Sequence, residues 1–202
     1  MSDKETLKVY DAQASKYAEL TDSNTKNPDL IAFIGALKPG AHILDLGCGP
    51  GHMAAAMARV GFQVSATDAS AEMVKLANAQ PGVTAWQEAF EEMHTGASYD
   101  GVFANFSLLH AKRESVAQHV NDLVTMLTPG GVFHIALKTG AGEMRDTIGR
   151  RYSYFSEDEL ETILTGAGLK IIYRNHGKDL GLDGVMANWV SLQGRKPGDA
   201  DA

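Results

Sequence analysis

Apolar positions along the chain change period several times, and each change marks an element. Leu7, Tyr10, Ala14, Tyr17 and Ala18 recur at three-to-four spacing, which predicts an amphipathic helix. A second short helix follows Asn27-Pro28, with Leu30, Ile31, Ile34 and Leu37 inward, and Pro39-Gly40 stops it. From residue 42 short apolar runs alternate with helical stretches. Residues 42–46 read as a buried strand running into glycines, and 50–60, rich in Ala and Met, as a helix. A second strand is expected over 63–68, then a helix capped by Ser70 that ends near Ala79. Further strands are expected over 83–87, 101–106 and 132–137, the last after a Pro129-Gly130-Gly131 turn. Between the last two, Val116, Val120, Leu123, Val124 and Leu127 mark one face of a helix.

Ser156-x-x-Glu159 is a capping box before Leu160, Ile163 and Leu164, and Gly166 and Gly168 end that helix. Two more strands follow, 169–174 and 186–192. The gap between them holds Gly177, Gly181 and Gly184 and has no helical period, so this pair is expected to be antiparallel. Alternating strands and helices imply an α/β, doubly wound, mainly parallel sheet covered on both faces. One domain over 1–194 is expected, with a helical cap over about 1–38 and a flexible tail over 195–202.

Composition narrows the function classes. A chain of 202 residues with 44% hydrophobic content can build a full core. Its net charge of -7 argues against nucleic acid as a partner, because such binding rests on Lys and Arg neutralising phosphates. Cys48 is the single cysteine, so a disulfide framework is excluded. No run approaches the ~18 apolar residues that span a bilayer, and the N-terminal residues lack a basic segment followed by an apolar one. A cytoplasmic protein without a membrane partner is expected. The seven His show no close ligand spacing, so no metal site is expected.

The most informative stretch is Ile43-Leu44-Asp45-Leu46-Gly47-Cys48-Gly49-Pro50-Gly51. Glycines leaving a strand and entering a helix let backbone approach a ligand closely, and the helix start offers free N–H groups to a negative group. Asp45, at the strand end, is placed to receive an ammonium or a bound water. Asp68 ends the next strand, where a carboxylate can accept both hydroxyls of a ribose.

With these residues the sequence resembles the class I S-adenosylmethionine-dependent methyltransferases. The resemblance extends through Thr67-Asp68-Ala69-Ser70-x-x-Met73, Gln87-Glu88-Ala89-Phe90, Tyr99-Asp100-Gly101-Val102-Phe103-Ala104-Asn105 and Leu127-Thr128-Pro129-Gly130-Gly131. It also covers Tyr10-Asp11-x-x-Ala14-x-x-Tyr17, similar to an N-terminal helix that covers the cofactor in small members. The resemblance implies a Rossmann-like seven-stranded sheet in the order 3-2-1-4-5-7-6, with strand 7 antiparallel. It implies S-adenosyl-L-methionine as cofactor, held by Asp45, Gly47, Cys48, Gly49, Gly51, Asp68, Ala69, Met73, Glu88, Ala89, Phe90 and Asn105. Two departures stand out. Glu88 replaces a more usual Asp, and Asn105-Phe106-Ser107-Leu108 lacks the prolines of Asn-Pro-Pro-Tyr, which counts against amino methylation of nucleic acid.

The implied reaction is in-line displacement of a methyl group from a sulfonium to a small-molecule acceptor, in which alignment is the main task. His110, just after the fourth strand, is the candidate base; the plainer reading is that it caps a strand or helix end. Residues 138–155 form the candidate substrate lid, with Arg145, Arg150, Arg151 and Tyr152 as an anion clamp or, equally, a solvated surface paired with Glu143 and Asp146. Tyr10 and Tyr17 reach the acceptor or serve packing. Trp86 and Trp189 are expected in the core. Two other readings stand: a non-catalytic S-adenosylmethionine-binding protein on the same fold, and a nicotinamide-dependent oxidoreductase using Gly49-x-Gly51-x-x-Ala54. Against the latter, Gly47 is the glycine that directly follows the strand, and His52 is bulky at the third position from it.

Overall fold

In the computed structural model, which describes residues 3–21, 27–93 and 96–198, two helices precede the first strand: α1 Lys4–Thr21 and α2 Pro28–Gly35. α1 bends at Gln13, whose φ and ψ of -117° and 18° leave the helical region. Asn27 caps α2 by accepting from the Asp29 N–H at 2.7 Å, with Pro28 in the first turn where no amide donor is needed. Its buried face is Asp29, Leu30 and Phe33, and Ile31, expected inward, is 60% exposed. Leu30 and Phe33 lie three positions apart on one stripe, and Ile31 sits about 100° round the helix from Leu30.

The alternation then runs as β1 His42–Leu46, α3 His52–Arg59, β2 Gln63–Asp68, α4 Ala71–Asn78, β3 Val83–Gln87, β4 Tyr99–Asn105, α5 Arg113–Thr125 and β5 Leu127–Lys138. A small hairpin follows, β6 Glu143–Arg145 and β7 Arg151–Ser153, then α6 Glu157–Gly166, β8 Lys170–Leu180 and β9 Met186–Arg195. Ser70 accepts from the Met73 N–H at the start of α4, and the Ser156–Glu159 capping box opens α6.

The main sheet has seven strands in the order β3-β2-β1-β4-β5-β9-β8. β3, β2, β1, β4 and β5 are parallel, and β9 is antiparallel to β5 and β8. Counting only strands of this sheet, the order is the expected 3-2-1-4-5-7-6, with the seventh antiparallel. Two apolar clusters cover its faces. Leu44, Val102, Phe133, Ile135, Leu123 and Leu160 belong to one, and Phe33, Ile43, Ala54, Met57, Ala66 and Phe103 to the other. Alternate residues of the buried strands thus serve opposite layers.

Three boundaries differ from expectation. β5 begins at Leu127 and passes through the Pro129-Gly130-Gly131 turn as an irregularity, its register against β4 shifting between Tyr99 and Gly101. β8 runs on to Leu180, so the predicted glycine-rich gap closes into a turn from Gly181 to Val185. Because Lys138 at the end of β5 is opposite Trp189, the remainder of the β8–β9 hairpin projects past the end of β5. Finally, the residues expected to open a tail are built in. Arg195 ends β9, and the Lys196 Nζ donates to the carbonyls of Val124 and Leu127 at 2.9 and 2.7 Å. Residues 199–202 of that tail lie outside the described residues. No helix among the described residues is long and apolar enough to cross a membrane.

Candidate active site

The carboxyl ends of β1, β2 and β4 meet α1 around a cavity of about 750 Å³, mouth included. Gly47, Gly49, Asp68, Ala69, Met73, Phe90 and Asn105 line it, with Tyr10, Tyr17 and His110 on the side of α1 and β4. Asp45 and Cys48 line an adjoining recess beside Gly47, Gly49 and Asn105. The sequence places Gly47 here for a steric reason. Its φ is +67°, and a Cβ would collide with the Ser107 Cβ, so the β1–α3 loop touches the end of β4 only without a side chain.

Asp68 holds that loop in place. Its Oδ2 accepts from the Gly49 N–H at 2.9 Å and its Oδ1 from the Ser70 N–H at 2.9 Å. Burial raises its pKa above the usual carboxylate value, with these amide donors opposing the rise. Asp45 is buried more starkly. Its Oδ2 accepts no hydrogen bond from the described residues, and burial followed by the nearby Asp68 charge pushes its pKa up to about 7. A buried carboxyl oxygen without a donor is a place for a cation.

Three expected cofactor residues stand outside these spaces. Gly51 faces α4, where a Cβ would lie 2.8 Å from the Ala77 Cα; it serves helix packing. The Glu88 carboxylate accepts from the Trp86 indole N–H at 3.1 Å and lines a separate hollow with Leu44, Met93 and Tyr99. Ala89 gives its N–H to Glu92. Trp86, expected in the core, is 38% exposed. Cys48 is buried, and desolvation followed by Asp45 and Asp68 raises its thiol pKa, so it is a small packed residue with no nucleophilic character.

A second cavity, of about 1010 Å³ including its mouth, lies between α1, the end of β5 and the β8–β9 hairpin. Tyr10, Tyr17, Phe106 and His110 line both large cavities. Phe106 takes φ of +54°, an uncommon value for an aromatic residue, immediately after β4. The Tyr10 hydroxyl lies 2.8 Å from His110 Nε2 and accepts from Arg150 Nη1 at 3.0 Å. His110 Nδ1 is 2.6 Å from the Arg151 carbonyl oxygen, which only accepts, so Nδ1 carries the ring hydrogen and Nε2 accepts from Tyr10. Burial lowers the His110 pKa to about 4, the Arg151 carbonyl opposing and the Arg150 charge adding to the fall. Burial first, and Tyr17 second, raise the Tyr10 phenol far above its usual range.

The candidate arginine clamp is dispersed. Arg150 and Tyr152 line the second cavity, but Arg150 Nε donates to Asp146 Oδ2 at 2.8 Å and its charge is paired there. Arg145 and Arg151 turn to Asp3 instead, at 2.8 and 3.3 Å. Lys138, the first residue of the candidate lid, also lines this cavity, and sequence reading missed Asp179, Leu180, Leu182 and Trp189, which complete its wall. The signal available was the polar, glycine-spaced run before Trp189, which is an extended hairpin and not a core strand with a loose connection.

A family model described as a methyltransferase domain matches residues 43–131, the span holding the glycine loop, Asp45, Asp68 and Asn105. Over that span the chain is similar to the class I S-adenosylmethionine-dependent methyltransferases. Among curated proteins, it is 47% identical over 53 residues to a ubiquinone biosynthesis O-methyltransferase of Xanthomonas campestris pv. campestris; the match covers 25% of this chain and 22% of that protein. A namesake from Xanthomonas axonopodis pv. citri is 27% identical over 169 residues, 72% of this chain and 70% of that protein. Among solved structures, Burkholderia thailandensis 1,6-didemethyltoxoflavin-N1-methyltransferase, with bound 1,6-didemethyltoxoflavin and S-adenosylhomocysteine, shares the fold at TM-score 0.78. That alignment covers 96% of this chain and 88% of the other, at 22% identity.

Proposed function

We propose that this chain transfers a methyl group from S-adenosylmethionine to a small-molecule acceptor seated under the β8–β9 hairpin. The observation that carries the reading is the shared wall: Tyr10, Tyr17, Phe106 and His110 separate a space walled by the glycine loop from a second, largely aromatic one. A group passing between two bound molecules needs such adjoining sites.

The residues present fit the cofactor. The unpartnered, buried Oδ2 of Asp45 suits its ammonium. Asp68 would take the ribose hydroxyls with the lone pairs its amide donors leave open. Ala69, Met73 and Phe90 offer an apolar surface for adenine, and Asn105 borders both the main cavity and the recess. When bound, S-adenosylmethionine supplies a methyl group already activated on a sulfonium.

The chain's remaining task is to place the acceptor and move its proton. Tyr10 donates to His110 Nε2, accepts from Arg150, and keeps one lone pair for an acceptor hydroxyl. As the acceptor oxygen gains its methyl group, its proton passes to Tyr10 and the Tyr10 proton passes to Nε2. His110 is thus the terminal base, and the Arg151 carbonyl steadies the imidazolium through Nδ1–H.

The test is calorimetric titration with S-adenosylmethionine, S-adenosylhomocysteine and NAD, followed by an assay of S-adenosylhomocysteine release with candidate acceptors. Micromolar binding of the first two alone is expected, with turnover for a hydroxylated acceptor. Binding of NAD alone overturns the reading. Cofactor binding without turnover across acceptors favours a binding protein on the same fold.

A further inference from the structure

Lys138 ends β5 with its ammonium 3.9 Å from the centre of the Tyr152 ring, inside the second cavity. Among the described residues no carboxylate or carbonyl accepts a hydrogen bond from its Nζ. Arg150, the other cation there, is paired with Asp146. Asp179 is the one carboxylate among the lining residues, and it accepts from the Trp189 indole N–H at 2.7 Å. Lys138 is therefore the cation of this cavity without an ion pair among the described residues. Burial lowers its pKa, Asp183 opposing and Arg150 adding to the fall, which marks an ammonium partly stripped of water.

The walls around that charge are flat and fixed. Trp189 leaves room for no side chain at its cross-strand partner Gly177, where a Cβ would lie 2.5 Å from the indole Cζ2. Its ring meets Phe106 edge-on at 5.9 Å, and Asp179 pins its N–H. Tyr152 is buried, stacked at a tilt on His110 at 4.8 Å. Rigid aromatic faces favour a planar partner, which they contact over a large area with little entropy to lose.

From this geometry we infer that the acceptor is a planar aromatic or heteroaromatic ring bearing an anionic oxygen, with Lys138 as its counter-ion and Trp189 and Phe106 as its flat wall. This refines the methyl-transfer reading and rests on it for the name acceptor. The binding site itself is independent of it. A phosphate group fits less well, since one free ammonium without a paired guanidinium gives a single charge contact.

The test is calorimetric titration of the full chain, with and without saturating S-adenosylhomocysteine, against three hydroxylated aromatic acids: 3,4-dihydroxybenzoate, 3-hydroxy-2-naphthoate and 4-hydroxyquinoline-2-carboxylate. Each is paired with its neutral primary amide, and glutarate serves as a flexible anion. At least one acid is expected to bind about tenfold or more tighter than its amide and more tightly than glutarate. Lys138→Met should reduce that preference to about twofold and leave amide affinity unchanged. Trp189→Leu should weaken acid and amide alike by about tenfold. Equal affinity for acid and amide, an unchanged preference in Lys138→Met, glutarate as the tightest ligand, or no ring binding at all overturns the inference. The S-adenosylhomocysteine titration separates its failure from failure of the methyl-transfer reading: cofactor bound but no ring bound sinks this inference alone, and rings bound without cofactor sinks the other.

Discussion

Tyr10 in α1 and His110 in the turn after β4 share a hydrogen bond of 2.8 Å, phenol hydroxyl to Nε2. The bond closes α1 over the end of β4 and fixes the tautomer of the histidine through its other nitrogen. Removing either end should block proton transfer and spare cofactor binding. Tyr10→Phe and His110→Gln are each expected to lower kcat for a hydroxylated acceptor by about 100-fold, with S-adenosylhomocysteine affinity changed less than about threefold. In the free protein His110 titrates at about 4, so its acid limb in kcat/KM should lie well below the usual histidine range. A His110→Gln variant with full rate removes the histidine from the chemistry.

Asp45 pits stability against binding. Its carboxyl rises from an ordinary 3.8 to about 7 in the folded chain, so the folded state holds its proton more tightly than the unfolded one. That contribution to stability is complete below about pH 4 and is lost as pH rises through about 7. Asp45→Asn should therefore stabilise the free protein at pH 8, on the order of 2 kcal/mol, and bring no gain at pH 4. The same variant should lose the cofactor ammonium and bind S-adenosylhomocysteine about 100-fold more weakly. In the parent chain, affinity should fall as pH drops below about 7. Thermal melts and calorimetry at pH 4, 6 and 8 read both effects, and a variant less stable than the parent at pH 8 contradicts the account.

Two glycines of the loop should fail for different reasons. Gly47→Ala places a Cβ against the Ser107 side chain, so adding Ser107→Gly should recover most of the loss, leaving the cost of positive φ, about 1–2 kcal/mol. Gly51→Ala meets Ala77 at its backbone Cα, 2.8 Å away, so adding Ala77→Gly should recover little. Denaturant unfolding of the singles and doubles measures the coupling directly. Equal rescue in both pairs contradicts the contrast between side-chain and backbone collision.

Much of this was legible in the sequence because it is written in local pattern. The glycine loop, Asp45 and Asp68 announce a strand end and helix start, and alternating runs gave the layers, while the strand order came from the family resemblance those residues carry. What was hidden depends on partners far away in the chain. Arg145 looks free for an anion until Asp3, 142 positions earlier, occupies it. Glu88 looks like a cofactor ligand until Trp86 takes its carboxylate. Trp189 reads as a core strand residue, and only the pairing that sets it opposite Lys138, the last residue of β5, places it at the end of the sheet to wall a cavity. Lys138 reads only as the first residue of the candidate lid, and its lack of an ion pair follows from Arg150 taking Asp146.

Asp3 ties the helix that covers the cofactor cavity to the β6–β7 hairpin. Its two oxygens accept from Arg145 Nη1 and Nη2 at 2.8 Å each, and the Thr6 N–H and hydroxyl donate to the same carboxylate at 3.0 and 2.6 Å. Arg145, and after burial's opposing effect Thr6 and Arg151, holds the carboxyl well below its usual range, so this contribution persists at neutral pH and is lost only in strong acid. Because Asp3, Thr6, Leu7 and Tyr10 line the cofactor cavity, loosening the tie should loosen the cover. Asp3→Asn and Arg145→Leu are each expected to speed amide exchange across α1 and to weaken S-adenosylhomocysteine binding about 3–10-fold. Both act through one contact, so the double variant should be hardly worse than either single. The exposed side of Arg145 makes the effect salt-sensitive: the gap between parent and variants should narrow toward 1 M salt, where the Debye length is about 3 Å. Strictly additive losses, or exchange that rises everywhere except in α1 and the hairpin, would show that the carboxylate stabilises the chain generally and does not fasten the cover.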